Sequence, residues 1–175
     1  MSMIHVASDK SRSNITAVDD TSVQPNALDI RLDKVFKILN TEFVMSEESK
    51  THRGTVPLET DAEGYYRLEP GAYEFVAEGT ISIGDDEAGW VITRSSLNRN
   101  GVFLTSGLYD SGYGVNAQTG EIVGGVMAGC IHVTTGPFVV KRGTRIGQFL
   151  LFDAEMLHQY DGSYGNHKQH DKKYQ

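Results

Sequence analysis

The stretch EIVGGVMAGCIHVTTGPFVVKRGTRIGQFLLF, residues 121–152, decides the fold class. Valine, isoleucine and phenylalanine recur in it in short runs with partial alternation, as at Phe138 and Val140, and glycines interrupt the runs. Strands favour β-branched and aromatic residues and place alternate side chains on one face. The stretch therefore predicts several short strands joined by tight turns.

The same pattern extends upstream through residues 27–39, 64–84, 89–97 and 101–114. No apolar series at helical spacing persists beyond about ten residues. The nineteen glycines of the chain supply the turns between the strands. We predict an all-β chain, a sandwich or jelly roll, with at most one short helix.

Polar composition marks both ends of the chain. Residues 1–21 are dominated by Ser, Asp, Asn and Thr and predict a weakly ordered arm, which is followed by a β domain over residues 22–159. Residues 160–175 are rich in Gly, Tyr and His without periodicity, so they predict a mobile tail. Within the domain, the charged segment 45–64 predicts a long surface loop.

The length of 175 residues fits one domain, and composition excludes several classes of protein. The longest apolar runs are far shorter than a membrane span, and the N-terminus lacks a basic start followed by an apolar stretch. We therefore expect a cytoplasmic protein without a membrane partner. The net charge of −7 argues against a nucleic-acid partner, yet a few arginines in a pocket can bind a triphosphate on an acidic protein. The single cysteine, Cys130, stands among apolar residues and predicts a plain buried thiol.

Two polar motifs interrupt the predicted strands. RSSLNR, residues 94–99, places two arginines and two serines within six residues, and arginine forks match phosphate oxygens in bidentate geometry. A polar loop with a structural salt bridge is the alternative. In GLYDSGY, residues 107–113, Asp110 stands between two glycines, where an aspartate can equally be a turn former.

Taken together, four motifs in this order resemble those of the dUTPase/dCTP deaminase superfamily, and the match covers residues 23–152. They are QPNALDIRLDKVF, similar to the opening motif of the deaminases; RSSLNRNG, similar to the shared phosphate-binding motif; GLYDSGY, similar to the uridine-binding and catalytic motif of dUTPases; and RGTRIGQFLLF, similar to the fourth motif. The resemblance implies a distorted jelly roll, the dUTPase-like β-clip, that forms a homotrimer. It also implies active sites assembled from neighbouring subunits, over which residues 160–175 close.

The resemblance assigns a role to each motif residue. Asp110 is the implied catalytic base, which activates a water for attack on the α-phosphorus, and Tyr113 packs under the deoxyribose. The implied cofactor is Mg²⁺, held mainly by the triphosphate without a direct protein ligand, with Asp29 orienting the site or acting through metal-bound water. The implied substrate contacts are Arg94, Ser95, Ser96, Arg99 and Gln148, and Tyr174 of the tail is a candidate to stack on the base.

These residues favour a dUTP diphosphatase, which converts dUTP to dUMP and pyrophosphate and limits uracil in DNA. A dCTP deaminase, monofunctional or bifunctional, is the first alternative. The deaminases need a glutamate on the strand after the Asp motif, and residues 122–136 contain no carboxylate. The nearby acid, Glu121, stands too early, at the end of an apparent insertion at 114–121, unless that insertion shifts the register.

Two further points stay open in the sequence. The altered hairpin at 114–121 makes a modified pyrimidine a possible base, because main-chain groups of this hairpin select uracil in dUTPases. The second alternative is a nucleotide-binding regulator of the same fold that signals through a partner. Its contact surface would be the 45–64 segment or the insertion near Asn116.

Overall fold

The computed structural model describes residues 1–162, 164 and 171–174, with only the backbone of Asp171 and Lys172. The strands are β1 (Ser2–Ile4), β2 (Asn14–Ile15), β3 (Leu28–Ile38), β4 (Val44–Met45), β5 (Lys50–Thr51), β6 (Thr55–Pro57), β7 (Tyr65–Leu68), β8 (Gly71–Ser82), β9 (Glu87–Thr93), β10 (Val102–Thr105), β11 (Gly125–Val133), β12 (Phe138–Lys141) and β13 (Arg145–Asp153). One α-helical turn, α1 (Ser95–Asn98), and a 3-10 turn at Asp171–Tyr174 are the helical elements of these residues. The prediction of an all-β chain with one short helix is confirmed over the described residues.

Nine strands form one antiparallel sheet with the order β1-β13-β3-β8-β11-β10. Off this path, β2 pairs with β8, β6 with β3 and β9 with β13, while β7–β12 and β4–β5 form two-stranded sheets. Register shifts interrupt the β3–β8, β8–β11 and β3–β13 pairings. Because a bulge bends its strand and increases the local twist, these shifts curl the sheet into the jelly-roll-like fold that the sequence predicts.

The core is built from one face of the strands. On β8, Tyr73, Phe75 and Ala77 are buried in the core, while Glu74 between them points to the other face and is half-buried. This alternation follows from the two-residue period of a strand. The fully buried apolar side chains are Leu28, Leu32, Leu68, Phe75, Ile81, Ile83, Met127, Ile131, Ile146, Phe149 and Leu151.

The N-terminal residues differ from the expected weakly ordered arm. Strand β1 pairs with the end of β13, where Ile4 lies opposite Leu151, and β2 pairs with β8. Val6 and Ile15 are buried in the core. Pairing with β13 and β8 satisfies backbone N–H and C=O groups of this polar segment, and Val6 and Ile15 bury apolar surface. Both effects order the segment.

The segment 45–64, which the sequence predicts to be a long surface loop, contains short strands. Strands β4 and β5 pair as a small exposed hairpin, and β6 pairs with β3 at Phe36 to Ile38. Both helical elements in the described part of the chain are single turns, too short to span a membrane.

Candidate active site

Asp29 on β3 is the centre of a charged cluster at one end of the sheet. Its side chain has no exposed surface. Arg145 Nη1 lies 3.2 Å and Arg94 Nε 3.6 Å from Asp29 Oδ2, and Gln148 Nε2 donates to Asp29 Oδ1 at 3.2 Å. These four residues, Asp29, Arg94, Arg145 and Gln148, are called the Asp29 cluster below. Two guanidiniums share one carboxylate, so the cluster keeps an excess of positive charge.

Backbone pairing creates this cluster. Gln148 of β13 lies directly opposite Asp29 of β3 in the antiparallel register. Arg94 follows β9, which also pairs with β13, and Arg94 Nη1 donates to the Arg145 carbonyl at 3.1 Å. Both arginine side chains remain about a third exposed, at 29% and 32%. The buried carboxylate therefore orients two arginines and an amide whose outer edges stay open to an anion.

The RSSLNR motif forms the turn that continues from this cluster. Arg94 caps α1 with extended backbone angles, and Leu97 is buried and anchors the turn. The hydroxyls of Ser95 and Ser96 and the guanidinium of Arg99 are exposed, and none of them bonds to another described residue. This turn presents a positive charge and two hydroxyls beside the Asp29 cluster, as a phosphate-binding motif requires.

Asp110 lies in the loop between β10 and β11, and the backbone around it is firmly held. Tyr109 exchanges both backbone hydrogen bonds with Gly89, at 2.8 and 3.0 Å, and the Gly112 N–H donates to the Ile83 carbonyl at 3.0 Å. The Asp110 carboxylate itself is exposed and makes no hydrogen bond or ion pair with the described residues. A fixed loop thus offers a carboxylate with all of its acceptor sites open.

Tyr113 lies two residues beyond Ser111 of the same motif and is buried. Its hydroxyl donates to the Val126 carbonyl at 2.7 Å, and its ring makes edge contacts with Tyr109 and Tyr160 at 5.3 and 5.5 Å between centroids. The ring lies against Gly125, where an added Cβ would come within 2.2 Å of Tyr113 Cε1. A glycine at this point of β11 is therefore required for the ring to take this position.

A cavity of about 500 Å³ opens beside these rings. Its wall includes five tyrosines, and the lining residues are Ile38, His52, Glu74, Thr105, Ser106, Gly107, Leu108, Tyr109, Tyr113, Val126, Ala128, Gly129, Cys130, Tyr160, Tyr164 and Tyr174. We call it the tyrosine cavity. Asp110 directly follows the lining residue Tyr109 in the chain, and the volume lies in the usual range of small-molecule sites.

Tyr174 closes one side of the tyrosine cavity. Its ring packs on Phe36, its hydroxyl lies 3.1 Å from Glu74 Oε2, and Lys34 Nζ donates to its carbonyl at 2.8 Å. Glu74 also pairs with Lys173, at 2.7 Å. The described end of the predicted tail thus lies on the cavity, while residues 163, 165–170 and 175 of that tail lie outside the described residues.

Cys130 and Glu121 differ in their relation to this cavity. Cys130 is half-buried and lines the wall, so it is not the fully buried thiol that was predicted. Burial raises the pKa of the Cys130 thiol, which keeps it protonated at neutral pH. Glu121 is exposed at the base of a small hairpin, next to the Val115–Ile122 bridge that closes it, and it does not line the cavity.

The predicted site residues fall into two groups. Asp29, Arg94 and Gln148 meet in the Asp29 cluster, with Ser95, Ser96 and Arg99 on the adjoining turn. Tyr113 and Tyr174 line the tyrosine cavity, and Asp110 follows the lining residue Tyr109 in the chain. No hydrogen bond or ion pair between described residues joins the Asp110 side chain to the cluster.

Two polar residues of these groups were not singled out from the sequence. Arg145 stands inside the RGTRIGQ motif, two residues before Gly147 and three before Gln148. That closeness in sequence was the available signal. Glu74 lies opposite Cys130 in the β8–β11 register, 56 positions away along the chain, and no local pattern predicts that pairing.

Carboxylates and other metal-binding side chains do not cluster in the part of the chain that the structure describes. No group of three or more His, Cys, Asp or Glu side chains among them could hold a metal ion. Both oxygens of Asp29 already accept from Arg145 and Gln148, and its side chain has no exposed surface. Asp29 is therefore suited to orient the cluster.

Residues 2–154 match the family model described as dCTP deaminase-like. A probable deoxyuridine 5′-triphosphate nucleotidohydrolase of Halobacterium salinarum is 29% identical over 156 residues, which cover 86% of this chain and 87% of that protein. A dCTP deaminase, dUMP-forming, of Rhodococcus opacus is 32% identical over 161 residues, 87% of this chain and 79% of that protein.

A solved structure has the same fold. The 2′-deoxycytidine 5′-triphosphate deaminase of Agrobacterium tumefaciens superposes with a TM-score of 0.52 at 22% identity. The match covers 79% of this chain, and this chain spans 43% of that protein's length. With the family model matching residues 2–154, and with the four motifs placed on a curled antiparallel sheet, the chain belongs to the dCTP deaminase-like family, which includes dUTPases.

Proposed function

We propose that this protein is a dUTP diphosphatase that hydrolyses dUTP to dUMP and pyrophosphate. The observation that carries the proposal is Asp110: an exposed carboxylate that makes no hydrogen bond or ion pair with the described residues, on a firmly held loop, and next in the chain to Tyr109, which lines a cavity of about 500 Å³. A general base needs free acceptor sites and a fixed position, and this carboxylate has both. Family membership supports a pyrimidine deoxynucleoside triphosphate as the substrate.

In the proposed reaction, a carboxylate oxygen of Asp110 takes a proton from a water molecule. The water oxygen forms a bond to the α-phosphorus, the bond from that phosphorus to the bridging oxygen breaks, and pyrophosphate leaves with the electron pair. Tyr113 forms the floor under the deoxyribose, and Tyr174 contacts the base from the opposite wall of the cavity. The substrate is the magnesium complex of the triphosphate, in which the ion neutralises charge that develops on the phosphates.

The Asp29 cluster and the adjoining turn bind the phosphates in this proposal. Arg94 and Arg99 pair with phosphate oxygens, Ser95 and Ser96 donate hydroxyl hydrogen bonds, and Gln148 assists near the nucleoside. Asp29 orients two of these residues, because its carboxylate pairs with Arg94 and accepts a hydrogen bond from Gln148. Arg145 joins the group as a further cation that the sequence motif did not single out.

We further propose that each active site is shared between subunits of a homotrimer. The support is that the Asp110 carboxylate makes no hydrogen bond or ion pair with the described residues of the Asp29 cluster, although the reaction needs both. Exposed apolar side chains close to the Asp110 loop, Phe103, Leu108 and Ile122, are suited to a subunit contact.

A complementation experiment tests this sharing. Asp110→Asn and Arg94→Ala are each expected to be nearly inactive, whereas subunits of both variants unfolded and reassembled together should recover activity. If each site combines Asp110 of one subunit with Arg94 of another, random assembly leaves about one quarter of the sites intact. Recovery to that level supports the shared site. Mixed assemblies as inactive as the separate variants, with a trimeric mass by light scattering, would show that both groups act within one chain.

The second candidate function is dCTP deamination, and one observation favours it. Glu74 is a carboxylate in the wall of the tyrosine cavity, on the strand next to the one where the family's deaminases carry their glutamate. Its pairing with Lys173 and Tyr174 argues against proton transfer, because both partners compete for its oxygens. We therefore propose dUTP hydrolysis ahead of dCTP deamination.

A product assay separates the candidates. Purified protein with Mg²⁺ is offered dUTP and dCTP in separate reactions, and pyrophosphate and ammonia are measured. We expect pyrophosphate from dUTP and no ammonia from dCTP. Ammonia from dCTP that disappears in Glu74→Gln would establish the deaminase instead. Nucleotide binding without either product would favour a regulator of the same fold, and modified pyrimidine nucleotides would then be tried.

A further inference from the structure

Glu87, the first residue of β9, is a completely buried carboxylate that the proposed reaction does not use. The backbone N–H of Arg12 donates to both of its oxygens, at 2.9 and 3.1 Å, and the Ser13 hydroxyl donates to Oε2 at 2.5 Å. A buried charge is costly unless hydrogen bonds compensate it. These three bonds compensate it, and they fasten the N-terminal residues 12 and 13 to Glu87.

The same two N-terminal residues hold the turn that precedes Glu87. The Ser13 hydroxyl oxygen accepts from the Gly84 N–H at 3.0 Å, and Arg12 Nε donates to the Asp85 carbonyl at 2.7 Å. The backbones approach so closely that an added Cβ at Gly84 would lie 2.4 Å from the Arg12 Cβ. Residues 83–89, called the 83–89 turn below, are thus clamped by the N-terminal segment.

The opposite side of the 83–89 turn carries the Asp110 loop. The Ser111 hydroxyl donates to the Glu87 carbonyl at 2.6 Å, and the Ile83 N–H donates to the Tyr113 carbonyl at 2.8 Å. These bonds add to those of Tyr109 and Gly112 described above. Residues on both sides of Asp110 therefore take their position from this turn.

We propose that Glu87 is a positioning residue for Asp110. Its side chain fixes the N-terminal segment to the 83–89 turn, and its own carbonyl fixes Ser111, the neighbour of Asp110. Glu87 touches neither substrate nor Asp110, so it acts only through the backbone of the turn. The proposal deepens the proposed function and rests on it, because its kinetic consequence requires Asp110 to act on the substrate.

Kinetics of Glu87→Gln, Glu87→Ala, Ser111→Ala and the Glu87→Ala/Ser111→Ala double variant test the coupling. Proton transfer is sensitive to small misplacements of a base, so we expect kcat to fall about tenfold in Glu87→Ala with KM for dUTP nearly unchanged. Glu87→Gln keeps one carbonyl acceptor, so its kcat should fall less than that of Glu87→Ala. The fall in kcat of the double variant should be clearly smaller than the product of the two single falls, because both changes weaken the same attachment of the Asp110 loop.

Leu68→Ala is the control for lost stability. It removes apolar atoms from a fully buried position on β7, a strand that pairs with β12 and not with the 83–89 turn. We expect it to lower Tm and to leave kcat unchanged well below Tm. If the Glu87 variants lower Tm in the same way and leave kcat unchanged, Glu87 is only a structural residue and the proposal fails. If Glu87→Ala does not fold, Glu87→Gln and Ser13→Ala decide in its place.

Hydrogen exchange gives a readout that does not depend on activity. Peptides covering residues 109–114 should exchange faster in Glu87→Ala, while peptides of β3 and β13 near the Asp29 cluster should be unchanged. If wild-type protein turns over no nucleotide, the proposed function fails, and exchange still reports whether Glu87 holds the loop. Unchanged exchange at 109–114 would overturn the positioning role, whatever the wild-type activity.

Discussion

Replacing Asp110 by asparagine is expected to reduce dUTP turnover by roughly 10²–10⁴-fold, the usual contribution of a positioned general base. Asparagine has nearly the same shape but cannot take the proton of the attacking water. The Asp110 side chain makes no hydrogen bond or ion pair with the described residues, so its replacement should leave the fold and the nucleotide affinity nearly intact. The loss should therefore appear in kcat, with KM and the dissociation constant of a non-hydrolysable analogue almost unchanged.

Glu121→Gln is the matched control for this variant. It neutralises an exposed carboxylate of the same loop that does not line the tyrosine cavity, so turnover should equal that of the wild type. Calorimetry with the analogue and steady-state kinetics on both variants complete the comparison. Wild-type turnover in Asp110→Asn would remove Asp110 as the base. A large loss of turnover in Glu121→Gln would instead show that the 114–121 insertion takes part in the reaction.

Replacing Asp29 by alanine is expected to lower the free energy of unfolding substantially. Breaking a buried ion pair leaves its partners without a counter-charge, and it usually costs about 3–5 kcal/mol. Arg94 and Arg145 are each about a third exposed and can recover some hydration, which brings the expected cost to about 2–3 kcal/mol. For a domain of this size that corresponds to a decrease in Tm of about 5–10 °C. KM for dUTP should also rise, because Arg94 and Gln148 lose the group that orients them.

Asp33→Asn serves as the control for Asp29→Ala. Asp33 lies on the same strand and pairs with Arg142 on the surface, where an ion pair contributes about 1 kcal/mol or less. Thermal unfolding at one fixed protein concentration, followed by kinetics, should separate the two positions. Equal and small shifts in Tm would mean that the Asp29 cluster does not contribute to stability. An unchanged KM in Asp29→Ala would remove Asp29 from phosphate binding.

The fold class could be predicted because its signals are local. Short β-branched and aromatic runs, interrupted by glycines, predict strands and turns wherever they occur, and residues 121–152 show both signals. The N-terminal arm could not be predicted in this way. Its order depends on Val6 and Ile15, which fit into a core formed by residues far along the chain.

The site was predictable to the extent that each motif is contiguous. Arg94, Ser95 and Asp110 were recognised from neighbouring letters, whereas the contact between Asp29 and Gln148 joins residues 119 positions apart. That contact exists because β3 and β13 pair in one register. A shift by one residue would turn either side chain to the other face of the sheet.

The sequence by itself therefore determined the all-β class, the glycine turns and the motif residues, since each of these depends on neighbours within a few positions. Only the tertiary structure decided which of them meet. It placed Asp29 beneath two arginines, excluded Glu121 from the cavity, put Glu74 in the cavity wall and buried Glu87 under the Asp110 loop. The physical reason is that strand register and burial are properties of the whole sheet. They are set by long-range pairing and by the cost of leaving buried polar groups unsatisfied.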